Sequence, residues 1–435
     1  MKFFNSFLFS NSTATNIIYA SLYVLLFAHV WKDYCVPIWS AYFYEDVGNS
    51  IIYNYLGYII AVIPTIFYRG LKNVSSWISL ILYYFGYVPI ILGMLFNFKA
   101  ENDYGIISYW IVLCVFMCLY FLADRIKVNL SLKKNQTWSL NYIIIFAFIT
   151  VMLQLILYHN NIRFANFQEI YDLREENSQI GGGLYNYINA WSGTFTYPFF
   201  ICYGLCKKNK LYIVLGSLLM FFSFCIFGLK AHLFAPLIIL ALYKFLCWQS
   251  NLNFNLMFVF TVSISFLSLF LMNNLENEIC YMFAAVFLMR TLTISGCLFA
   301  GYYLPFFHDH SYTYFSHINI INFFFNSNPY AGREIGNVVS EGGMNANAIF
   351  WAMDGVAGGG VVGVFIVSVL FLGFLYLINA LSSSTNRRFV CIIMVMPTIA
   401  LLNVSFFTFI LSEGVLLILL CLYKVKLDIL YDSRC

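Results

Sequence analysis

The chain has 435 residues, 62% of them hydrophobic and 10% charged, with a mean hydropathy of +0.80 and a net charge of +4. Soluble domains carry about 25% charged residues, so a soluble globular fold and a nucleic-acid-binding protein are excluded and an all-α polytopic membrane protein remains. The net charge decides little, because in a membrane protein the placement of Lys and Arg matters more than their sum.

A membrane-spanning helix needs about 20 predominantly apolar residues. Such runs fall near 14–32, 50–68, 76–96, 106–123, 141–158, 184–205, 211–229, 232–248, 254–272, 358–380, 389–404 and 406–424. They predict about 12 transmembrane helices in a single integral-membrane domain over 1–435, with both termini on one side. The first run, "ATNIIYASLYVLLFAHVW", lacks a small-residue cleavage site and reads as a signal anchor. The 12 cysteines form no CxxC pair, and Cys114 and Cys118, which share a helix face, read as packing rather than metal ligands.

Two connections are long: 159–183, and about 273–357. Loops beyond about 15 residues tend to be functional or disordered, and the aromatic content of these two argues against disorder. Within the second, 281–307 reads as a re-entrant or interfacial helix, because a full crossing there would make the span count odd. With the N-terminal side called inside, 16 Lys and Arg fall inside and 7 outside. The positive-inside rule then puts both termini in the cytoplasm and both long loops outside.

The outside cations are few, so each is informative. Arg163 and Arg174 lie in the first loop, Arg290 and Arg333 in the second, and Lys230 in "FGLKAHLFAP" ends a helix hairpin where it can snorkel. Arg290 sits in an apolar run, where a buried cation costs about 2.5–3.5 kcal/mol, and no carboxylate lies between Glu278 and Asp309. Guanidinium binds phosphate through paired hydrogen bonds, so an arginine cluster at headgroup depth suits a lipid-linked phosphate or pyrophosphate. The bland reading is surface charge meeting headgroups or neighbouring carboxylates.

"YYLPFFHDHSYTYFSHINIINFFF" holds His308, His310 and His317. The spacing is weak for a metal, and an interfacial aromatic belt explains the rings; His317 is kept as an acid, base or substrate contact, and no metal or cofactor is expected. In "GREIGNVVSEGGMNANAIFWAMDGVAGGGVVGVF", Gly358 to Gly363 read as helix packing by small residues. Glu341, Asn345, Asn347 and Asp354 read as carboxylates and amides facing a headgroup-level cavity, with an ordinary polar helix start as the alternative. Amides and aromatic faces suit sugars, and Tyr303 is the aromatic candidate. Glu413 in "LSEGVLL" lies nearer the membrane interior and is functional by default. As an acceptor hydroxyl must lose its proton, His317, Glu341 and Asp354 are the candidate bases, and Arg290 the candidate stabiliser of the leaving group.

The order "YDLREE", an aromatic span with Tyr185, Trp191 and Pro198, "GLKAHLFAP", "MRTLTISGCLFAGYY" and "GGMNANAIFWAMDGVAGGGVVGVF" resembles the oligosaccharide repeat-unit polymerases, the Wzy O-antigen polymerase family, over about 140–380. Arg290, ten residues and Gly301 also resemble an arginine pattern of some members' periplasmic loops. The resemblance implies a bacterial inner-membrane glycosyltransferase of the GT-C-like class, acting at the periplasmic face in lipopolysaccharide biosynthesis. It would move a growing glycan from undecaprenyl pyrophosphate onto an undecaprenyl-pyrophosphate-linked repeat unit, without a cofactor. The implied partners are those lipid-linked oligosaccharides, the bilayer, a chain-length regulator and a flippase, and no nucleic acid. The alternatives are an O-antigen ligase and a repeat-unit flippase.

Overall fold

A computed structural model describes residues 10–101, 104–125, 137–164, 169–178, 180, 182–252, 255–330, 333–382, 387–425 and 427. Of the inside cations read from the sequence, Lys2, Lys127, Lys133, Lys134, Lys426 and Arg434 lie outside the described residues, as do 165–168, 179 and 181 of the first loop. The described chain is helical, and its one extended pairing is an isolated bridge between Trp138 and Val425. Among the described residues, seven helices are long and apolar enough to cross a membrane: Thr13–Tyr42, Val74–Asn97, Asn141–Tyr158, Lys210–Phe227, Lys230–Trp248, Glu278–Asp309 and Trp351–Ser382. Ile51–Phe67, Ile106–Leu122, Leu256–Met272 and Val415–Lys424 are shorter apolar helices. This is the architecture of a helical membrane protein.

The chain forms two compact units, the first from 1–128, 253–376 and 401–406, the second from 129–252, 377–400 and 407–435.

Several helices widen into π-helical segments, and proline explains four of them. Trp31–Cys35, Tyr83–Tyr87, Ser192–Thr196 and Leu298–Tyr303 each end two residues before a proline: Pro37, Pro89, Pro198 and Pro305. Proline has no N–H and its ring clashes with the carbonyl four residues back, so the helix bulges there and a carbonyl is freed. In the first unit that carbonyl is used. Phe85 O, orphaned by Pro89, accepts the Ser295 hydroxyl at 2.8 Å. The same crossing is glycine-lined: a Cβ on Gly296 would sit 2.1 Å from Pro89 O, and one on Gly93 2.8 Å from Gly296 O. Small residues let the two backbones touch.

Glu278–Asp309 is one uninterrupted helix of 32 residues. The long segment 273–357 therefore opens as a helix long enough to cross rather than as a loop with a short re-entrant piece. Its later half packs beside the end of Thr13–Tyr42: the Thr293 hydroxyl pairs with Tyr44 at 2.9 Å, Cys297 donates to Tyr42 O at 2.9 Å, and Gly301 abuts Phe43.

Trp351–Ser382 qualifies as a span by length, but its contacts make it two helices. The Trp351 indole donates to the Ser368 hydroxyl at 2.9 Å, the Phe350 and Phe371 rings stack at 4.9 Å, and a Cβ on Gly363 would lie 2.1 Å from Gly355 O. In a straight helix, residues 351 and 368 stand about 25 Å apart. The chain reverses at Gly359 (φ 166°, ψ 35°) and Gly360 (φ 60°, ψ −135°). The latter conformation is open to glycine. The glycines read as helix packing thus build a hairpin: a half-helix over 351–358 laid against a full span over 361–382.

The runs expected as spans at 389–404 and 406–424 are broken into Arg387–Ile393, Val395–Ala400 and Leu401–Asn403, then Phe406–Leu411 and Val415–Lys424, with 401–406 in the first unit and the rest in the second. Glu413 lies in the turn before Gly414, whose φ is 71°. The helical stretch 184–207 packs on Lys210–Phe227, where a Cβ on Gly216 would lie 2.8 Å from Ile201 N. The first loop carries its own helix, Ile170–Ser178, pinned by Ile170 and Leu173 against Phe224 and Cys225.

Candidate functional site

In the first unit the residues around the hairpin enclose two features. The first is a buried dyad. His317 Nε2 meets Asp354 Oδ1 at 3.0 Å, with side chains 7% and 0% exposed. His317 Nδ1 meets Thr313 Oγ1 at 2.7 Å, and that hydroxyl also reaches Ala357 O at 2.9 Å. The second Asp354 oxygen accepts from the backbone N–H of Phe406. Both imidazole nitrogens are therefore occupied, and the carboxylate is tied on both oxygens. The sequence reading named His317 and Asp354 as separate candidate bases and expected Asp354 to face a headgroup-level cavity. It lies sealed inside, fastening the half-helix 351–358 to the 313–317 segment.

The second feature is a small cleft of about 30 Å³, lined by Tyr104, Tyr109, Leu304, Phe307, His308, Tyr312 and Val356. The hairpin reversal comes close to two of these residues, since a Cβ on Gly360 would meet the Tyr312 hydroxyl at 2.8 Å and the Tyr109 hydroxyl at 3.3 Å. The Tyr104 ring packs on His308 at 4.6 Å and Phe307 stacks on Tyr312 at 6.2 Å, 18° apart. Beside it, the Tyr330 hydroxyl donates to Ser311 O at 2.6 Å, and burial pushes this phenol above its usual range.

Beyond these, the candidates divide. Tyr303 is buried and donates to Ala346 O at 3.1 Å, docking the 344–347 segment on the end of Glu278–Asp309. Asn345 and Asn347 aim their side-chain oxygens at the open face of Gly336, 2.6 and 2.7 Å from where a Cβ would stand, and Asn345 donates to Glu334 at 3.3 Å. Glu341 is exposed in the turn after Ile335–Val339 at φ 53°. Arg333 is exposed nearby.

Arg290 is exposed midway along its helix, on the face that also exposes Phe283 and Val286, and its guanidinium has no ion-pair or hydrogen-bond partner among the described residues. No contact among the described residues joins it to His317, Glu341 or Asp354. In the second unit, Arg163 pairs with Glu176 at 3.0 Å, Arg174 donates to Gly228 O at 2.9 Å, and Lys230 is exposed. Among the described residues no three His, Cys, Asp or Glu side chains gather as metal ligands, and His310 instead contacts Phe306 O at 2.9 Å.

The sequence reading missed a polar cluster in the second unit. The Tyr197 hydroxyl donates to Gln154 at 2.6 Å, Gln154 donates to Ser192 at 3.1 Å, and Asn189 donates to Tyr158 at 2.9 Å. Nearby, His232 shares a bond with Ser223 at 2.9 Å, its ring lying over Gly193. A Gln inside an apolar run was the available signal, since a polar side chain at that depth needs partners. It missed Tyr104, Tyr109 and Tyr312 as well, which meet only through the hairpin.

No family model, curated protein or solved structure matches the chain.

Proposed function

We propose that this chain is a bacterial inner-membrane glycosyltransferase of the O-antigen polymerase kind, with both termini cytoplasmic and its chemistry at the periplasmic face. The observation that carries this reading is Arg290: a permanently charged guanidinium, without an ion-pair or hydrogen-bond partner among the described residues, on an outward, apolar helix face. A cation so placed meets what the bilayer delivers sideways, and the fork of a guanidinium fits the phosphates of a polyprenyl carrier. The exposed, glycine-flanked Glu341, with Arg333 and Asn345 in the same segment, supplies polar groups for the sugar end.

In this mechanism an acceptor hydroxyl attacks the anomeric carbon of the donor glycan. Its proton passes to Glu341, whose exposed carboxylate is available where that of Asp354 is not. The bond from the anomeric carbon to the pyrophosphate oxygen breaks, and Arg290 stabilises the charge growing on the leaving group. Stabilisation that increases in the transition state is what speeds the step. Losing one such donor costs about 10²–10³ in rate. The His317–Asp354 dyad holds the scaffold.

The deciding experiment is the glycan phenotype of a deletion strain. Polymerase activity predicts a lipopolysaccharide ladder collapsed to a single repeat unit, restored by the wild-type chain and not by Arg290→Ala. Loss of every repeat unit points instead to a ligase or a flippase. Orientation is checked separately: periplasmic reporters fused after Asn177 and Asn326 should be active, and one after Lys208 inactive.

A further inference from the structure

The helix Asn319–Phe325 ends in three consecutive phenylalanines, Phe323, Phe324 and Phe325, which are 83%, 74% and 73% exposed. Successive helical residues point about 100° apart, so the rings fan out on three sides of the helix tip. Among the described residues their one ring contact is with each other, Phe323 on Phe324 at 5.3 Å. The tip hangs on a short, fixed stem. The Thr313 N–H donates to Ala357 O at 2.8 Å and His317 meets Asp354 at 3.0 Å, which fastens 313–317 to the half-helix 351–358. The run from His317 to Phe324 is mostly helical, so the rings stand within about 15 Å of that buried anchor. Between Asp309, where a helix of crossing length ends, and Arg333 the chain carries no Asp, Glu, Lys or Arg.

We infer that this tip is immersed in the bilayer, its three rings among the upper acyl chains of phospholipids at the Asp309 end of the crossing helix. A helix that is apolar on all sides is covered by a surrounding medium. A protein partner docked on one face would leave rings in water on the others, and protein interfaces carry a polar rim, whereas this stretch has no formal charge to form one. The polar zone on each side of a bilayer is only about 5–8 Å deep, so a stem of this length, rooted in the ends of the helices, keeps the rings within reach of the hydrocarbon. The groups that follow suit the headgroup level: Asn326 turns the chain at φ 42°, and the Asn328 N–H closes the turn onto Asn322 Oδ1 at 3.2 Å. The inference rests on the chain's lying in a membrane and takes nothing from the glycan reading.

The test uses the full chain in native membranes, with p-benzoylphenylalanine incorporated in place of Phe324. After irradiation, the peptide that contains position 324 should carry the added mass of a phospholipid, as should the peptide from a control chain with the same probe at the exposed Phe283 of the crossing helix. A cross-link to a second copy or to another protein overturns the inference, as does an adduct at 283 with none at 324. A second readout places the tip by depth. With 4-trifluoromethylphenylalanine at position 324 and the full chain in phosphatidylglycerol–phosphatidylcholine nanodiscs, dissolved oxygen, which concentrates in lipid, should broaden the fluorine signal more than a water-soluble nickel chelate does. The reverse order would put the rings in water and overturn it. Introducing Phe323→Asp and Phe325→Asp together should abolish the phospholipid adduct at 324 and leave the thermal midpoint unchanged, because the rings are exposed and support no packing. An adduct that survives both aspartates would mark chance contact with lipid rather than immersion, and would also overturn the inference.

Discussion

The two units hold polar groups inside apolar helices in opposite ways. In the first, the helices are broken and the polar groups fasten the breaks: Ser295 caps the carbonyl freed by Pro89, and Asp354 ties the half-helix to His317 and to the Phe406 N–H. Its Val74–Asn97 helix is 94% buried. In the second, Asn141–Tyr158 and Lys210–Phe227 run unbroken at 28% and 33% buried, and polar side chains join Asn141–Tyr158 to the bulged stretch 184–207. A polar group that closes a broken backbone cannot be replaced without freeing that backbone. One that joins two helices side chain to side chain can. The first unit should therefore be the less tolerant of substitution at its polar positions.

The largest effect is expected at Asp354. Asp354→Ala leaves His317 and the Phe406 N–H without their acceptor, and each buried polar group left unmet costs about 1–3 kcal/mol. The variant should lose most of its folded yield in detergent, and Asp354→Asn should recover part of it by keeping one acceptor oxygen. If Asp354→Ala unfolds at the wild-type temperature, the dyad does not fasten the hairpin.

Next comes the hairpin itself. Gly363→Ala puts a Cβ 2.1 Å from Gly355 O, so the two helices must part; overpacking of this kind costs about 1–3 kcal/mol. Gly373, farther along the same helix, has nothing within 4 Å of its Cβ position, and Gly373→Ala should change stability by less than about 0.5 kcal/mol. Equal effects at the two glycines would mean the helix is straight.

The second unit should give less. Gln154→Leu removes the partner of Tyr197 and Ser192, and hydrogen bonds between membrane helices average about 0.6 kcal/mol. A thermal shift as large as that of Asp354→Ala would erase the contrast between the units. Smallest of all, Arg290→Ala should leave the unfolding midpoint within about 0.5 kcal/mol of wild type, since its guanidinium has no ion-pair or hydrogen-bond partner among the described residues. The same variant is expected to lose polymerisation.

The unbroken helices were the legible part of this chain. Asn141–Tyr158 matches the apolar run read at 141–158, and Leu256–Met272 differs from the 254–272 run by two residues at its start. Hydrophobic length alone specifies such helices. Breaks were harder. Three consecutive glycines fit close helix packing as well as a reversal, and only the meeting of Trp351 with Ser368 decides between them. The even span count argued against a full crossing at 281–307, but Glu278–Asp309 is long and apolar enough to cross, and an arginine on its outward face can reach the interface. The break before Gly414 had a readable signal in "LSEGVLL", a carboxylate and a glycine together inside an apolar run. Asp354 was recognisable as exceptional. Its partners lie 37 and 52 residues away, out of reach of any spacing rule. The tyrosine cleft left no pattern in the sequence at all, because Tyr109 and Tyr312 come to Gly360 through the fold.

The most direct test of the functional account is reconstitution. The purified chain is placed in proteoliposomes with undecaprenyl-pyrophosphate-linked repeat units as the sole addition, and the glycans are released and sized. The account predicts a ladder of whole repeat units, with free undecaprenyl pyrophosphate released in proportion and no ladder from Arg290→Ala. Repeat units that change leaflet without changing length, or that remain untouched, would contradict it.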